Sequence, residues 1–176
     1  MSKDREPSPS SPRIAQLLRA LEQGYNKKSW HGTNLRGSLR GISPEQALWR
    51  PAPDRHNIWE LAVHAAYWKY TVVRRIRAGA RGGFPLEGSN WFPRSTHPDA
   101  KAWREDLKLL DDQHRGLLDA VAGLDDANLD RTPDGAKFTF GDLVQGVAFH
   151  DIYHAGQIQI LKRLQGISRK AAEATE

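Results

Sequence analysis

Hydrophobic residues recur every three or four positions along four stretches of the chain, which predicts four long helices. The first begins at Ser11, a residue type that caps helices, and continues with Pro12, whose missing N–H suits the first turn. The fourth begins at Thr139, with Asp142 three residues on, and stops at Gly166. The inner stripes of the four helices are Ile14, Leu17, Leu18, Leu21 and Tyr25; Leu61, His64, Trp68, Val72 and Arg75; Trp103, Leu107, Leu110, His114, Leu117 and Val121; and Leu143, Val147, His150, His154, Ile158 and Leu161.

Short connectors and one long loop are predicted between these helices. Short helical segments are expected over 34–41 and 43–49, and Ser43 and Pro44 provide the start signals of the second. At about 79–98, between the second and third helices, glycine, proline and aromatic residues replace the helical spacing. A loop this long in a compact domain typically covers a functional site. One interpretation is that Trp91 and Phe92 roof such a site and exclude water; the alternative is that they simply pack the loop onto the bundle.

A single helical domain accounts for this pattern. The second helix follows Asn57, a capping residue, and the third is predicted over 98–122. No stretch alternates with a period of two, so the fold class is all-α and the architecture a four-helix bundle. We predict that the domain covers 11–167, with a disordered N-terminal tail at 1–10 and a C-terminal tail at 168–176.

The composition excludes several kinds of chemistry. The chain contains no cysteine, which rules out a disulfide framework, a cysteine nucleophile and a thiolate metal site. Any metal must therefore be held by nitrogen and oxygen ligands. The N-terminus has no apolar signal region, and no stretch has 18 consecutive apolar residues. We expect a cytoplasmic protein that does not enter the membrane.

The positive charge gives little information about function. The net charge of +5 and the pI near 9.6 permit weak attraction to polyanions. Much of the excess lies toward the end of the second helix, where cations complement the helix dipole. We interpret this cluster as a solvated helix end and do not expect nucleic acid as a partner. Its members are Lys69, Arg74, Arg75, Arg77 and Arg81.

Three histidines on the inner stripes suggest a metal site. His150 and His154 are four residues apart, so they differ by about 40° of rotation and about 6 Å of rise and point the same way. His64 lies midway along the second helix, where it can meet that pair across a bundle core. Neutral imidazole is a common ligand for transition metals. The alternative is three separate core histidines, each bonded to carbonyls or to neighbours such as Tyr67 and Tyr153.

Three protein ligands leave a coordination position open, which is typical of catalytic metal sites. Candidate catalytic residues are Tyr67 and Tyr153, which neighbour the proposed ligands, and His31, which lies on a bend; each also has a purely structural interpretation. His114 is a fourth ligand, a group that supports a ligand through a hydrogen bond, or a satisfied core histidine, and the sequence favours the last. Asp151 should point away from the histidine face and be solvated or salt-bridged.

Four segments together resemble the DinB-like superfamily, which includes bacillithiol and mycothiol transferases. They are WHG at 30–32, HNIWELAVHAAYW at 56–68, SNWFP at 89–93 and FHDIYHAGQIQILKRLQG at 149–166. The resemblance spans most of the chain, and its second and fourth segments are the more specific. It implies a four-helix bundle in up-down-down-up order.

The resemblance also implies a divalent cation, zinc or nickel, held by His64, His150 and His154, and a homodimer. Its implied activity is a thiol S-transferase, with a low-molecular-weight thiol as co-substrate, acting on a small-molecule substrate. A metal-dependent hydrolase is the other enzymatic expectation. The alternative is a noncatalytic module of the stress response that binds a metal or a small molecule through the same histidines.

Overall fold

The computed structural model describes residues 11–78, 83–94 and 96–167, which contain six helices, a short 3-10 turn and no strand. The predicted all-α class is confirmed. The two predicted tails, and residues 79–82 and 95 of the predicted loop, lie outside the described residues. The helices are α1 (Pro12–Tyr25), α2 (Leu35–Ser38), α3 (Pro44–Leu48), α4 (Ile58–Ile76), α5 (Ala100–Ala122) and α6 (Phe140–Leu164), and the turn is Asp126–Asn128.

Capping side chains set where the long helices begin. Ser11, Asn57 and Thr139 each accept a hydrogen bond from a backbone N–H three residues on, as predicted. Asp99 caps α5 in the same way, so this helix begins slightly later than the predicted residue 98. The chain leaves α6 through Gly166, whose positive φ of 71° suits glycine and ends the helix near its predicted position.

The four long helices form a bundle in up-down-down-up order. The N-terminal halves of α4 and α5 lie together, so these helices are parallel. Residues later in α4 contact residues earlier in α6, so these two helices are antiparallel. The start of α1 likewise lies near the end of α5, so that pair is antiparallel too. The contacts that set these directions are Trp59–Trp103, His64–His154, Lys69–Asp151, Ser11–Asp126 and Tyr25–His114.

A buried polar layer divides the hydrophobic core. One apolar cluster joins the N-terminal parts of α4 and α5 to the C-terminal part of α6. The other joins the C-terminal parts of α4 and α5 to α1 and to the N-terminal part of α6. Between the clusters lie Lys69 on α4, His114 on α5 and Asp151 on α6, all buried. We call these three residues the polar layer.

The prediction that Lys69 lies at a solvated helix end is wrong. Its ammonium group is fully buried and forms an ion pair with Asp151. Of the two predicted alternatives for Asp151, the salt bridge is confirmed, and the side chain is buried instead of solvated. Burial lowers the pKa of Lys69 and raises that of Asp151, while the attraction between them opposes both shifts. The pair joins the two helices that carry the histidines.

Candidate metal centre

The imidazoles of His64, His150 and His154 converge in the bundle. The Nε2 atom of His150 lies 3.1 Å from that of His64 and 2.9 Å from that of His154. Each residue offers a ligand atom within 4.8 Å of the others. Three nitrogens about 2.0–2.1 Å from one ion would be about 2.9 Å apart at right angles and about 3.3 Å apart in a tetrahedron. The spacing of His150 from each of the other two rings therefore fits a single cation, as the sequence predicts.

Hydrogen bonds at the outer nitrogens fix which ring atom faces inward. The Nδ1–H of His64 donates to the carbonyl oxygen of Asn90 at 2.8 Å, and the Nδ1–H of His154 donates to Oε1 of Gln157 at 2.6 Å. A neutral imidazole carries one N–H, so both Nε2 atoms present lone pairs toward His150. Partners of this kind orient metal-bound histidines in proteins.

The three Nε2 atoms that face one another do not carry enough protons to hydrogen-bond to each other. When all three rings are neutral, His150 alone can place a proton between the Nε2 atoms, and it can satisfy one neighbour only. Its Nδ1 atom is buried without a hydrogen-bond partner in the described structure, whichever of its two ring nitrogens carries the proton. Hydrogen bonds within the core thus satisfy the Nδ1 atoms of His64 and His154 but not the Nε2 atoms of the group. Three converging nitrogen lone pairs fit a cation.

Burial keeps the three rings in the form that binds metals. Removal from water disfavours the charged imidazolium, which lowers the pKa of His150 to about 3 and that of His154 to about 4. The pKa of His64 is lowered for the same reason, although its hydrogen bond to Asn90 opposes the shift. All three imidazoles are therefore neutral near pH 7.

The loop between α4 and α5 covers one side of the site. The indole of Trp91 stacks on His64 at 3.8 Å and on His56 at 3.5 Å, so it lies between two imidazoles. This confirms the predicted roof for Trp91. Phe92 is instead buried beneath the loop against Tyr67 and Phe84.

Sequence reasoning missed the residues that orient the ligands. Asn90 has a positive φ of 64°, which asparagine tolerates better than most residues. In that conformation its carbonyl accepts from His64, and its side-chain oxygen accepts from the Trp68 indole N–H at 3.1 Å. The available signal was its place in the SNWFP segment. For Gln157 the signal was its position one helical turn after His154.

The candidate catalytic residues lie in three different surroundings. Tyr153 is 64% exposed, and its ring centre lies 5.1 Å from that of His154. Tyr67 is half-buried and packs against aromatic side chains of the loop. His31 is exposed and lines a separate cavity that contains none of the three convergent histidines. The structure thus places Tyr153 beside the candidate metal centre and His31 elsewhere.

His114 is a core histidine and does not belong to the convergent group. Its ring stacks on Tyr25 at 3.8 Å, and burial lowers its pKa to about 3. Neither ring nitrogen has a hydrogen-bond partner among the residues the structure describes. The predicted core position is correct, but the expected hydrogen bonds are not found in the described part of the chain.

The fold and the site together define an all-α helical bundle with a candidate three-histidine metal centre. The chain belongs to the DinB superfamily, whose family profile matches residues 29–158 and so covers most of the chain and all three histidines. Comparisons with curated proteins and with solved structures gave no significant match. Within the described ranges, no helix is both long and apolar enough to cross a bilayer.

Proposed function

We propose that this protein is a metal-dependent enzyme, a thiol S-transferase or a hydrolase, with a divalent zinc or nickel ion at His64, His150 and His154. The observation that carries the proposal is the convergence of three Nε2 atoms, two of them held as lone-pair donors by Asn90 and Gln157. Three protein ligands leave room for a reactant beside the ion. Membership of the DinB superfamily supports the same assignment.

A divalent ion in this position supplies Lewis-acid chemistry that favours the ionised form of a thiol or a water molecule. The chain provides the surroundings for that chemistry. Trp91 covers His64 and keeps water from that side, while His150 and Trp68 border an open groove. We infer that the substrate approaches from the groove, and that the exposed hydroxyl of Tyr153 donates a hydrogen bond to it.

Metal analysis combined with turnover tests the proposal. The natively purified chain should contain about one divalent ion, and the His150→Ala variant should contain almost none. His97→Ala is the matched control, because His97 is an exposed histidine outside the convergent group. Turnover is measured with a cysteine-based thiol plus 1-chloro-2,4-dinitrobenzene, and separately with p-nitrophenyl acetate.

Metal-dependent turnover in either assay supports the enzyme, and the assay that responds identifies the reaction class. Turnover that survives complete removal of the metal contradicts the proposal. A stoichiometric ion without turnover in either assay favours the noncatalytic binding module. Absence of bound metal in both the purified and the reconstituted chain refutes the site itself.

We also propose that the protein is a cytoplasmic homodimer. Ile160 and Leu164, one helical turn apart on α6, are 58% and 61% exposed. Contiguous exposed apolar patches mark contact surfaces, and we infer that these two side chains belong to one. Light scattering on the Ile160→Lys variant should show a monomer if this face holds the dimer together, and an unchanged dimer would place the interface elsewhere.

A further inference from the structure

An open groove extends from the candidate metal centre along α4 and α6. Its volume is about 580 Å³, which is within the range of small-molecule sites. His150 and Trp68 border one end, and Arg75 lies at the other end on α4. The walls between them are apolar and are formed by Val72, Leu143, Val147 and Phe149.

The two ends of the groove differ in chemistry. Arg75 is half-buried, and in the described structure its guanidinium has no hydrogen bond or ion pair. Asp142 lines the same groove, but its carboxylate accepts from the backbone N–H of Thr139 at 3.0 Å and from the Thr139 hydroxyl at 2.8 Å. The cation therefore remains available to a ligand, while the carboxylate caps its own helix.

Helix geometry sets the length of a fitting ligand. Trp68 and Arg75 are seven residues apart on α4, so they are separated by about 10 Å along the helix axis. His150 and Leu143 have the same separation on the antiparallel α6. Two fused aromatic rings bearing a carboxylate, or a medium-length alkyl carboxylate, match this distance.

We propose that the groove binds the substrate and that the substrate is an elongated, apolar carboxylate. Its anionic group pairs with Arg75, and its apolar body lies between α4 and α6. Its far end meets His150 at the metal centre. This inference deepens the proposed function. Calling the ligand a substrate rests on the proposed enzymatic activity, whereas its binding in the groove does not. Binding in the groove is tested independently of metal and turnover.

Titration calorimetry with 2-naphthoate, and with the neutral 2-naphthamide as its matched control, tests the charge requirement. The full chain, both metal-free and metal-loaded, should bind 2-naphthoate at least tenfold more tightly than 2-naphthamide. Arg75→Gln should remove that preference while leaving the binding of 2-naphthamide unchanged. Equal affinity of the acid and the amide for the unmodified protein overturns the proposal.

A glycine on α6 allows the groove to be filled without disturbing the core. Gly146 lines the groove, and an added Cβ there would meet no atom within 4 Å. Gly146→Leu should therefore weaken 2-naphthoate binding at least tenfold and leave the fold intact. Gly156→Leu is the control, since Gly156 lies on the same helix with an equally free Cβ but borders a different cavity. Unchanged binding in Gly146→Leu overturns the assignment to this groove.

Metal content separates this inference from the proposed function. If the unmodified chain binds 2-naphthoate with the expected preference but no metal, the proposed function fails and the groove remains a binding site. If it binds metal but no 2-naphthoate, the groove assignment fails alone. Loss of the dimer in Gly146→Leu, without 2-naphthoate binding by the unmodified chain, would show that a second copy occupies the groove.

Discussion

The candidate metal centre and the polar layer are both buried polar groups in one bundle, and they differ in how their charge is arranged. The polar layer already contains a cation, because Lys69 is paired with Asp151. The candidate metal centre contains three neutral imidazoles whose inner nitrogens face one another. Burial of polar groups is costly unless they are satisfied. The polar layer contains its own ion pair, whereas the candidate metal centre consists of neutral lone-pair donors.

His114 sharpens the contrast between the two regions. Its ring nitrogens lack partners among the described residues, as the Nδ1 atom of His150 does. Yet His114 stacks on Tyr25 and converges with no second histidine. Burial of an imidazole therefore does not identify a ligand. Convergence of several imidazoles with fixed tautomers is what marks the other three as candidate ligands.

Breaking the ion pair should produce the largest effect on folding. Lys69→Met leaves the carboxylate of Asp151 buried without a cation, so we expect the free energy of unfolding to fall by about 3–5 kcal/mol. Urea denaturation measures the loss. The double variant Lys69→Met/Asp151→Leu should recover most of it, because no charge is left unpaired. A double variant as unstable as the single one would contradict this account of the polar layer.

Removal of one candidate histidine ligand should weaken metal binding by a free energy similar to the loss of stability expected for Lys69→Met. Structural zinc sites bind with about 10–16 kcal/mol, so loss of one ligand of a set should cost about 3 kcal/mol, or roughly 100-fold in affinity. We expect this for His154→Ala in competition with a chelator. His114→Phe replaces a histidine of the polar layer and should bind metal normally. Equal losses of metal affinity in His154→Ala and His114→Phe would contradict the assignment of metal binding to the candidate metal centre alone.

Loss of an orienting hydrogen bond should weaken the metal centre less. Gln157→Leu removes the acceptor of the His154 Nδ1–H, and such outer partners typically contribute 10–100-fold in metal affinity. Gln159→Leu, on the same helix but lining the cavity that contains His31, provides the control. Identical metal affinity in Gln157→Leu and the unmodified chain would show that this bond does not set the tautomer.

Acid should destabilise the folded state through His114. Its folded pKa of about 3 lies below the ordinary value near 6.5, so the unfolded chain binds the proton more readily between these values. Stability therefore falls as the pH drops below about 6.5, by up to about 1.4 kcal/mol per pH unit from this group. Urea titrations at pH 7, 6 and 5 should show a steeper loss in the unmodified, metal-free chain than in His114→Phe. Parallel losses would contradict the assignment.

Local patterns predict the helices and the shared face of His150 and His154 well, because both depend on spacing within one segment. Ser11, Asn57 and Thr139 cap helices where the sequence places them. His150 and His154 share a face because they are one turn apart. The positions of these residues follow from the geometry of a single helix.

Features that depend on distant partners could not be predicted in the same way. Lys69 is buried because Asp151, 82 positions away, meets it across the bundle. Asn90 orients His64 through a backbone conformation that no helical or strand pattern encodes. In each case the deciding contact joins segments whose arrangement is known only once the chain has folded.

The contact between the loop and His64 links two motions that would otherwise be independent. Because the Asn90 carbonyl and the Trp91 ring both touch this imidazole, any ligand that immobilises the ring also restrains the loop backbone. Amide hydrogen exchange at residues 89–92 should therefore slow when a cation is added. The loop would then report the occupancy of the centre it covers.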